Sequence, residues 1–210
     1  MLAVLILAAG RSTRMGRSKP LLPHGTATGQ TFVSHLVQVV RTAGISDIYV
    51  IGRPDDTELR AEVEKVAATF IQNPRPDEGQ LSSLQAGLSA AEDVAGGGLT
   101  AVMVMPADVP LLGVRSVDRL LAAAGASTAT ILRATHGGRH GHPVIFKRPM
   151  FAELHAADPA VGARAVVHAD PARVEDVEVE DAGVTIDVDT PDDYVRAFGR
   201  PPGPVRNDRR

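Results

Sequence analysis

The sequence predicts an α/β fold: a doubly wound, mostly parallel sheet as the middle layer of a three-layer α/β/α sandwich. Two observations carry that expectation. Strand-like and helix-like segments alternate in the order β-α-β-α-β-α-β through the first half of the chain, as parallel strands joined by crossover helices require. The run from Thr100 to Met105 is apolar almost throughout, which suits a strand covered by helices on both faces.

Each element has a local reason. Leu2 to Leu7 is an apolar strand that ends in Ala8-Ala9-Gly10. Thr31 to Thr42 carries Phe32, Leu36, Val37 and Val40 at helical spacing and closes at Gly44. Asp47 to Ile51 reads as a short strand, and Asp56 to Ala68 as a helix with Leu59, Val63 and Val66 on one face. Thr69 to Gln72 is a strand, Leu81 to Ala91 a helix, and Gly96-Gly97-Gly98 a break before the central strand. The second half is less regular. Ser116 to Ala124 is a helix, and Ala129 to Ala134 and Pro143 to Phe146 are strands around a glycine-rich hairpin, Thr135 to Gly141. Val161 to His168 is a short helix, while Arg173 to Val179 and Val184 to Val188 are strands. Pro191 opens a last helix to Phe198, where its missing N–H costs nothing.

At 210 residues the chain suits one domain, here residues 1–199, with a sizeable core. The stretch 200–210 is rich in Pro and Arg with almost nothing apolar, and disorder is expected there. There is no cysteine, which excludes disulfides, thiolate catalysis and thiolate metal sites. A net charge of −3 and 3% aromatic residues argue against nucleic acid as a partner. No apolar stretch approaches the roughly 20 residues of a membrane helix, so no membrane partner is expected. Met1 to Gly10 lacks a charged leader and reads as strand, so the cytoplasm is the expected location.

The chemistry concentrates at strand ends. Arg11, Arg14, Arg17 and Lys19 place four cations within nine residues, directly after the first strand. Free backbone N–H groups and clustered cations suit a triphosphate, and the small Ala8, Ala9 and Gly10 permit close approach. A solvated basic loop is the plainer alternative. The segment matches neither the P-loop nor the dinucleotide glycine spacing. In an open α/β sheet, ligands bind at the carboxyl ends of the strands. The basic loop, Asn73 to Ser83, and Pro106 to Pro110 all leave strands at that edge and converge on one crevice.

Asp108, just after the central strand, suits either a turn or helix cap or a Mg²⁺ ligand. Mg²⁺ takes one or two carboxylates together with phosphate oxygens and waters. Asp187, Asp189, Asp192 and Asp193 put four carboxylates in seven residues. Asp189 or Thr190 can cap the last helix, and Asp192 and Asp193 complement its dipole. Capping thereby accounts for Asp189 and leaves Asp187 outside that structural account. His136, His140 and His142 share one hairpin with no acidic fourth ligand nearby, a poor zinc site.

The run Leu7-Ala8-Ala9-Gly10, Ser12, Arg14-Met15-Gly16 and Lys19 resembles the signature L-A-[AG]-G-x-[SG]-x-R-M-G-x-x-K of MobA-like NTP transferases. Within that group the chain is most similar to molybdenum cofactor cytidylyltransferases. The likeness extends from Leu5 to Tyr194 in five ordered segments. It implies a Rossmann-like nucleotidyltransferase fold and Mg²⁺ as cofactor. In the implied reaction a phosphate monoester, molybdopterin favoured, attacks the α-phosphate of CTP and pyrophosphate leaves. Lys19 would serve the α-phosphate, and Arg11 and Arg14 the leaving phosphates. Leu7, Ala8, Ala9, Gly10, Ser12, Asn73, Gly79, Ser82 and Ser83 would hold the nucleotide. Gln80-Leu81 departs from the Gly-Met or Met-Gly of the cytidylyltransferases. Arg139, His142 and Arg164 would hold the acceptor, and Asp108 with Asp187 or Asp189 the metal. A molybdenum enzyme is implied as a further partner. A guanylyltransferase of the same cofactor and a sugar- or polyol-phosphate nucleotidyltransferase are the alternatives within the class. A nucleotide-binding maturation chaperone for a molybdenum hydroxylase is the alternative outside it.

Overall fold

The computed structural model describes residues 1–25 and 29–203. Its centre is a seven-stranded sheet in the order β3-β2-β1-β4-β6-β5-β7. The strands are β1 (Leu2–Leu7), β2 (Ile48–Gly52), β3 (Thr69–Gln72), β4 (Ala101–Pro106), β5 (Ile131–His136), β6 (Arg139–Lys147) and β7 (Val174–Glu178). Only β6 runs against the rest, pairing antiparallel with both β4 and β5. The mostly parallel, doubly wound sheet expected from the sequence is therefore present.

Its two faces are covered by different helices. Val4, Ile6, Val50, Met103 and Ile145 pack on one face against α1 (Phe32–Thr42), α2 (Thr57–Lys65) and α4 (Val114–Ala126). Leu5, Leu7, Val102, Val144 and Phe146 pack on the other against α3 (Gln80–Ala95), α5 (Phe151–Ala156) and α6 (Arg164–His168). β1 and β4 are buried along nearly their whole length, as apolar strands between two helix layers should be.

The differences from expectation have local causes. Val184 to Val188 is not a strand. The Asp181 side chain accepts from Gly183 N and starts a helical turn, Ala182–Thr185, instead. The chain beyond it is tied to the loop after β4, where Val188 N donates to Asp108 O at 2.8 Å. The hairpin is tighter than expected. Gly137 and Gly138, at φ 57° and 74°, turn the chain in two residues, as a two-residue hairpin with positive φ at both positions allows. β6 therefore reaches back to Arg139 and carries His140, Gly141 and His142 on the sheet. Gly141 has to be glycine, since a Cβ there would stand 2.2 Å from Val184 O. Helix α6 begins late, at Arg164, because Asp158 O accepts from Val161 and Gly162 and Gly162 takes φ 82°. Helix α5 had no counterpart in the sequence reading.

A third, small cluster lies at the carboxyl edge: Met15, Leu22, Phe32, Val188 and Tyr194. It nails the basic loop to α1 and to α7 (Pro191–Phe198), with Tyr194 Oη donating to Pro23 O at 2.8 Å. Thr190, not Asp189, caps α7, and Asp193 completes a reciprocal capping box. The assignment of Asp189 to capping is thereby corrected. Thr190→Ala should cost about 1 kcal/mol of stability, read as a lower urea midpoint. An unchanged midpoint would show that packing alone holds α7. Residues 204–210 of the expected disordered tail lie outside the described residues. Within its described part, Arg17 Nη1 donates to Gly203 O at 2.8 Å and Arg200 Nη2 to Gly25 O. No helix among the described residues is long and apolar enough to cross a membrane.

Candidate active site

The loop after β1 is built around Ser12. At φ 51° its carbonyl accepts from Met15 N and Gly16 N, both at 3.1 Å, and its hydroxyl accepts from Lys19 N at 3.1 Å. Gly16, at φ 71°, completes the bend. Met15 enters the small apolar cluster and anchors the loop from below. Lys19 is thereby set at the start of a short helical turn, with only 14% of its side chain exposed.

Its ammonium meets two carboxylates that arrive from distant stretches: Asp108 Oδ2 at 2.5 Å and Asp189 Oδ1 at 2.7 Å. Burial works against the Lys19 charge, but Asp108 and Asp189 outweigh it and raise the ammonium pKa. Hydrogen bonding from Lys19 lowers the pKa of Asp189 in turn, aided by Arg14, whose Nη2 lies 2.9 Å from Asp189 Oδ2. Asp187 behaves oppositely. Burial, then the charges of Asp108 and Asp189, push its carboxyl up, although solvent reaches it through the cleft. Arg11 is held by Asp77, Nε to Oδ1 at 2.9 Å and Nη2 to Oδ2 at 2.7 Å, and Arg53 adds a contact at 3.0 Å. Hydrogen bonds from Arg11 and Arg53 keep the Asp77 carboxyl far below the usual range. Arg17 points instead toward the tail.

Two cavities open at this edge and share Leu7, Gln80 and Pro106 as walls. The smaller, about 210 Å³, is lined by Ala8, Ala9, Gly10, Ser12, Lys19, Gly79, Ser83 and Asp108 among others. Gly79 adopts φ 97°, ψ −178° just before α3, a conformation open essentially to glycine alone. Two of the expected nucleotide contacts do not line this cavity. Asn73 is fully buried and donates to Ser82 Oγ at 2.8 Å and Ser83 Oγ at 3.0 Å. Ser82 Oγ is engaged with the carbonyls of Arg75 and Gly79. Both residues shape the loop and leave Gly79 and Ser83 to face the cleft.

The larger cavity, about 610 Å³, lies between the sheet and the N-terminal end of α3 on one side and the segment before and within α6 on the other. Leu81, Leu84, Val104, Val144 and Phe146 make an apolar floor. Arg133, His140, His142, Arg164, His168 and Asp187 supply its polar groups. His142 and Arg164 are where the sequence places an acceptor. Burial lowers the His142 pKa, and its Nδ1 has no hydrogen-bond partner among the described residues. Arg139 is a correction: its Nη2 donates to Thr185 Oγ1 at 2.7 Å, and it does not line the cavity. The hairpin's extension along the sheet turned it outward. Arg133 was missed. It is clamped by Asp176 at 2.8 Å and His140 at 2.9 Å, and the available signal was a charge inside an otherwise apolar strand. The hairpin histidines have separate partners, since His136 Nδ1 pairs with Val179 O at 2.9 Å. Among the described residues no group of three or more His, Asp or Glu is arranged to hold a metal.

A glycine-bearing cationic loop, a carboxylate after the central strand and two adjoining cavities meet at the carboxyl edge of the sheet. The family model for the MobA-like NTP transferase domain matches residues 4–176, and the chain belongs to that family. Among curated relatives, the bifunctional protein GlmU of Azorhizobium caulinodans is 33% identical over 135 residues, 62% of this chain and 29% of that protein. The chain thus spans under a third of that relative. Among solved structures, Rv0371c from Mycobacterium tuberculosis H37Rv is 27% identical, with 95% of this chain and 98% of that chain covered and a TM-score of 0.79. A manganese complex of Rv0371c gives 25% identity, coverage of 94% and 98%, and a TM-score of 0.73. The molybdopterin-guanine dinucleotide biosynthesis protein A of Archaeoglobus fulgidus shares the fold at 17% identity, with coverage of 95% and 97% and a TM-score of 0.67.

Proposed function

We propose that the chain is a Mg²⁺-dependent cytidylyltransferase that joins CTP to a phosphate monoester, with molybdopterin as the acceptor. The observation that carries this reading is the junction of the two cavities, with Lys19 and Asp108 on the smaller side and Asp187 on the larger. The triphosphate binds along the loop from Ala8 to Lys19, and the acceptor phosphate enters from the larger cavity. An acceptor phosphate oxygen forms the new bond to the α-phosphorus. The bond from that phosphorus to the β-bridging oxygen breaks, and pyrophosphate leaves with its electron pair. Such chemistry depends mainly on positioning and charge stabilisation. An acceptor phosphate is already ionised near pH 7, so no general base is needed.

Lys19 neutralises charge at the α-phosphate, and Arg11 and Arg14 meet the leaving phosphates once they exchange their carboxylate partners for phosphate. The donor set fits a divalent cation: Asp187 lines the larger cavity with no ion pair or side-chain hydrogen bond among the described residues, Asp108 leaves one carboxylate oxygen free of Lys19, and Mg²⁺ needs only one or two carboxylates beside phosphate. When bound, that cation supplies positive charge to the phosphates. The larger cavity is within the usual size range for small-molecule sites. Its apolar floor suits a flat ring system, while Arg164 and His142 suit the polar end and phosphate.

The choice of CTP rests on Ala9, which lines the smaller cavity and is 4% exposed. Its methyl group occupies space a purine needs, and discrimination arises from such differences in fit. Relatives that use GTP resemble this chain but often carry glycine here. The wild type is expected to use CTP over GTP, and Ala9→Gly to narrow the gap. Competition among CTP, GTP, ATP and UTP with Mg²⁺ and molybdopterin checks this by mass spectrometry of the products. Equal or better use of GTP by the wild type removes the cytidylyl assignment. Absence of pyrophosphate release with every nucleotide would point to the chaperone alternative.

A further inference from the structure

The floor of the larger cavity is a row of paired residues that runs across the sheet, away from the smaller cavity. Val104 on β4 pairs with Val144 on β6, Val144 with Arg133 on β5, and Arg133 with Asp176 on β7. Two strand spacings put Arg133 roughly 10 Å from β4. Val104, Val144 and Arg133 all line the cavity, so its apolar floor ends in a cation. The Arg133 side chain is only 14% exposed, and two partners hold it. Its Nε donates to Asp176 Oδ1 at 2.8 Å, and its Nη2 lies 2.9 Å from His140 Nε2. Arginine can only donate, so His140 receives at Nε2 and carries its proton on Nδ1. Nη1 of Arg133 makes no hydrogen bond among the described residues. Hydrogen bonding from Arg133 lowers the Asp176 pKa, so that carboxylate stays ionised and balances the guanidinium.

We infer that Arg133 is a specificity-determining residue of the larger cavity, which reads an uncharged ring carbonyl at the end of the acceptor remote from its phosphate. This rests on the reading above, in which that cavity takes the acceptor. Asp176 and His140 are positioning residues, because they fix the guanidinium plane and leave Nη1 to donate. The charge balance selects the ligand group. A second anion on the acceptor would gain Arg133 but face Asp176 as a like charge. A carbonyl oxygen accepts from Nη1 without that repulsion, and a hydrogen bond from a charged donor is among the stronger ones. The ring that carries it lies on Val104 and Val144, which offer apolar surface and no competing polar group. A lysine in place of Arg133 could not hold both partners in one plane and still present a donor.

Titration calorimetry on the full chain tests this with two probes. One is hydroxymethylpterin; the other is its diamino analogue, in which an amino group replaces the ring carbonyl and so donates where the first accepts. At a pH where both rings are neutral, the wild type is expected to bind the carbonyl probe about tenfold or more tightly. Arg133→Met should abolish that preference. That variant leaves Asp176 without its cation, so Arg133→Met/Asp176→Met, which removes the pair together, is the second variant. It is expected to fold and to lose the preference equally. CTP affinity, measured in the same way, should stay within a few-fold of wild type in both. Three results overturn the inference: a wild type that does not prefer the carbonyl probe or binds neither, a preference that survives in the folded double variant, or an equal fall in CTP affinity. Failure of the wider reading is distinct: the wild type would keep the Arg133-dependent preference and yet release no pyrophosphate from any nucleotide.

Discussion

Lys19→Ala is expected to slow pyrophosphate release by about 10²–10³-fold, the usual cost of removing one preorganised electrostatic contact from a reacting group. The size of the effect follows from how the side chain is held. Ser12 fixes the backbone at Lys19, and Asp108 and Asp189 fix the ammonium, so little motion is left to arrest when nucleotide binds. The fold should survive, because the apolar anchors Met15 and Leu22 are untouched. The variant does leave Asp108 and Asp189 without the cation they share. A modest fall in melting temperature, reversed by Mg²⁺, is therefore expected alongside the kinetic loss. Turnover with CTP at saturating Mg²⁺, beside a far-ultraviolet spectrum, measures both. A rate within a few-fold of wild type would remove Lys19 from the α-phosphate.

Asp108→Ala is expected to abolish Mg²⁺-dependent nucleotide binding with little change in the stability of the free protein. Aspartate in a loop after a strand is commonly a cap or turn residue, and that role would predict the reverse. Helix α4 starts at Gly113, and the carboxylate at its start is Asp181, whose Oδ2 accepts from Gly113 N at 2.8 Å and from Ser116 Oγ at 3.2 Å. Asp108 is therefore not needed to start it. Lys19 keeps Asp189 as a partner when Asp108 is lost. Thermal melting with and without Mg²⁺ and CTP decides the matter. In the wild type, ligand at 100 times its Kd should stabilise by about 2.7 kcal/mol, and the variant should show no such shift. A large drop in its ligand-free melting temperature would assign Asp108 a structural role instead.

Much of the fold could be read from local pattern. β1, β3 and α7 lie where the sequence places them, because an apolar run or a proline at the first helical position marks each boundary from within. Val184 to Val188 misled because its alternation of apolar and polar residues is also what a segment laid along a cavity rim shows. Only its backbone partner, Asp108 O in place of a neighbouring strand, distinguishes the two. Helix α5 is six residues long and offers too few turns for periodicity to show. At the site, Ala8 to Lys19 and Asp108 were legible from residue types at a strand's end. Arg133 was not, because what clamps it belongs to β6 and β7, and Arg139 was placed by a hairpin whose exact turn no periodicity reports.

The sequence by itself determined the order of elements, the loops that reach the carboxyl edge and the kinds of charge those loops carry. These follow from side-chain spacing, caps and glycines acting over a few residues. The tertiary structure alone decided which charges meet. Arg11 finds Asp77 66 residues away, and Lys19 finds Asp108 and Asp189 89 and 170 residues away. Every cation of the loop had several carboxylates within its sequence-level choice. The selection among them was made by sheet order and by Val188 fastening the last acidic segment to the central strand's loop, contacts that no local pattern encodes.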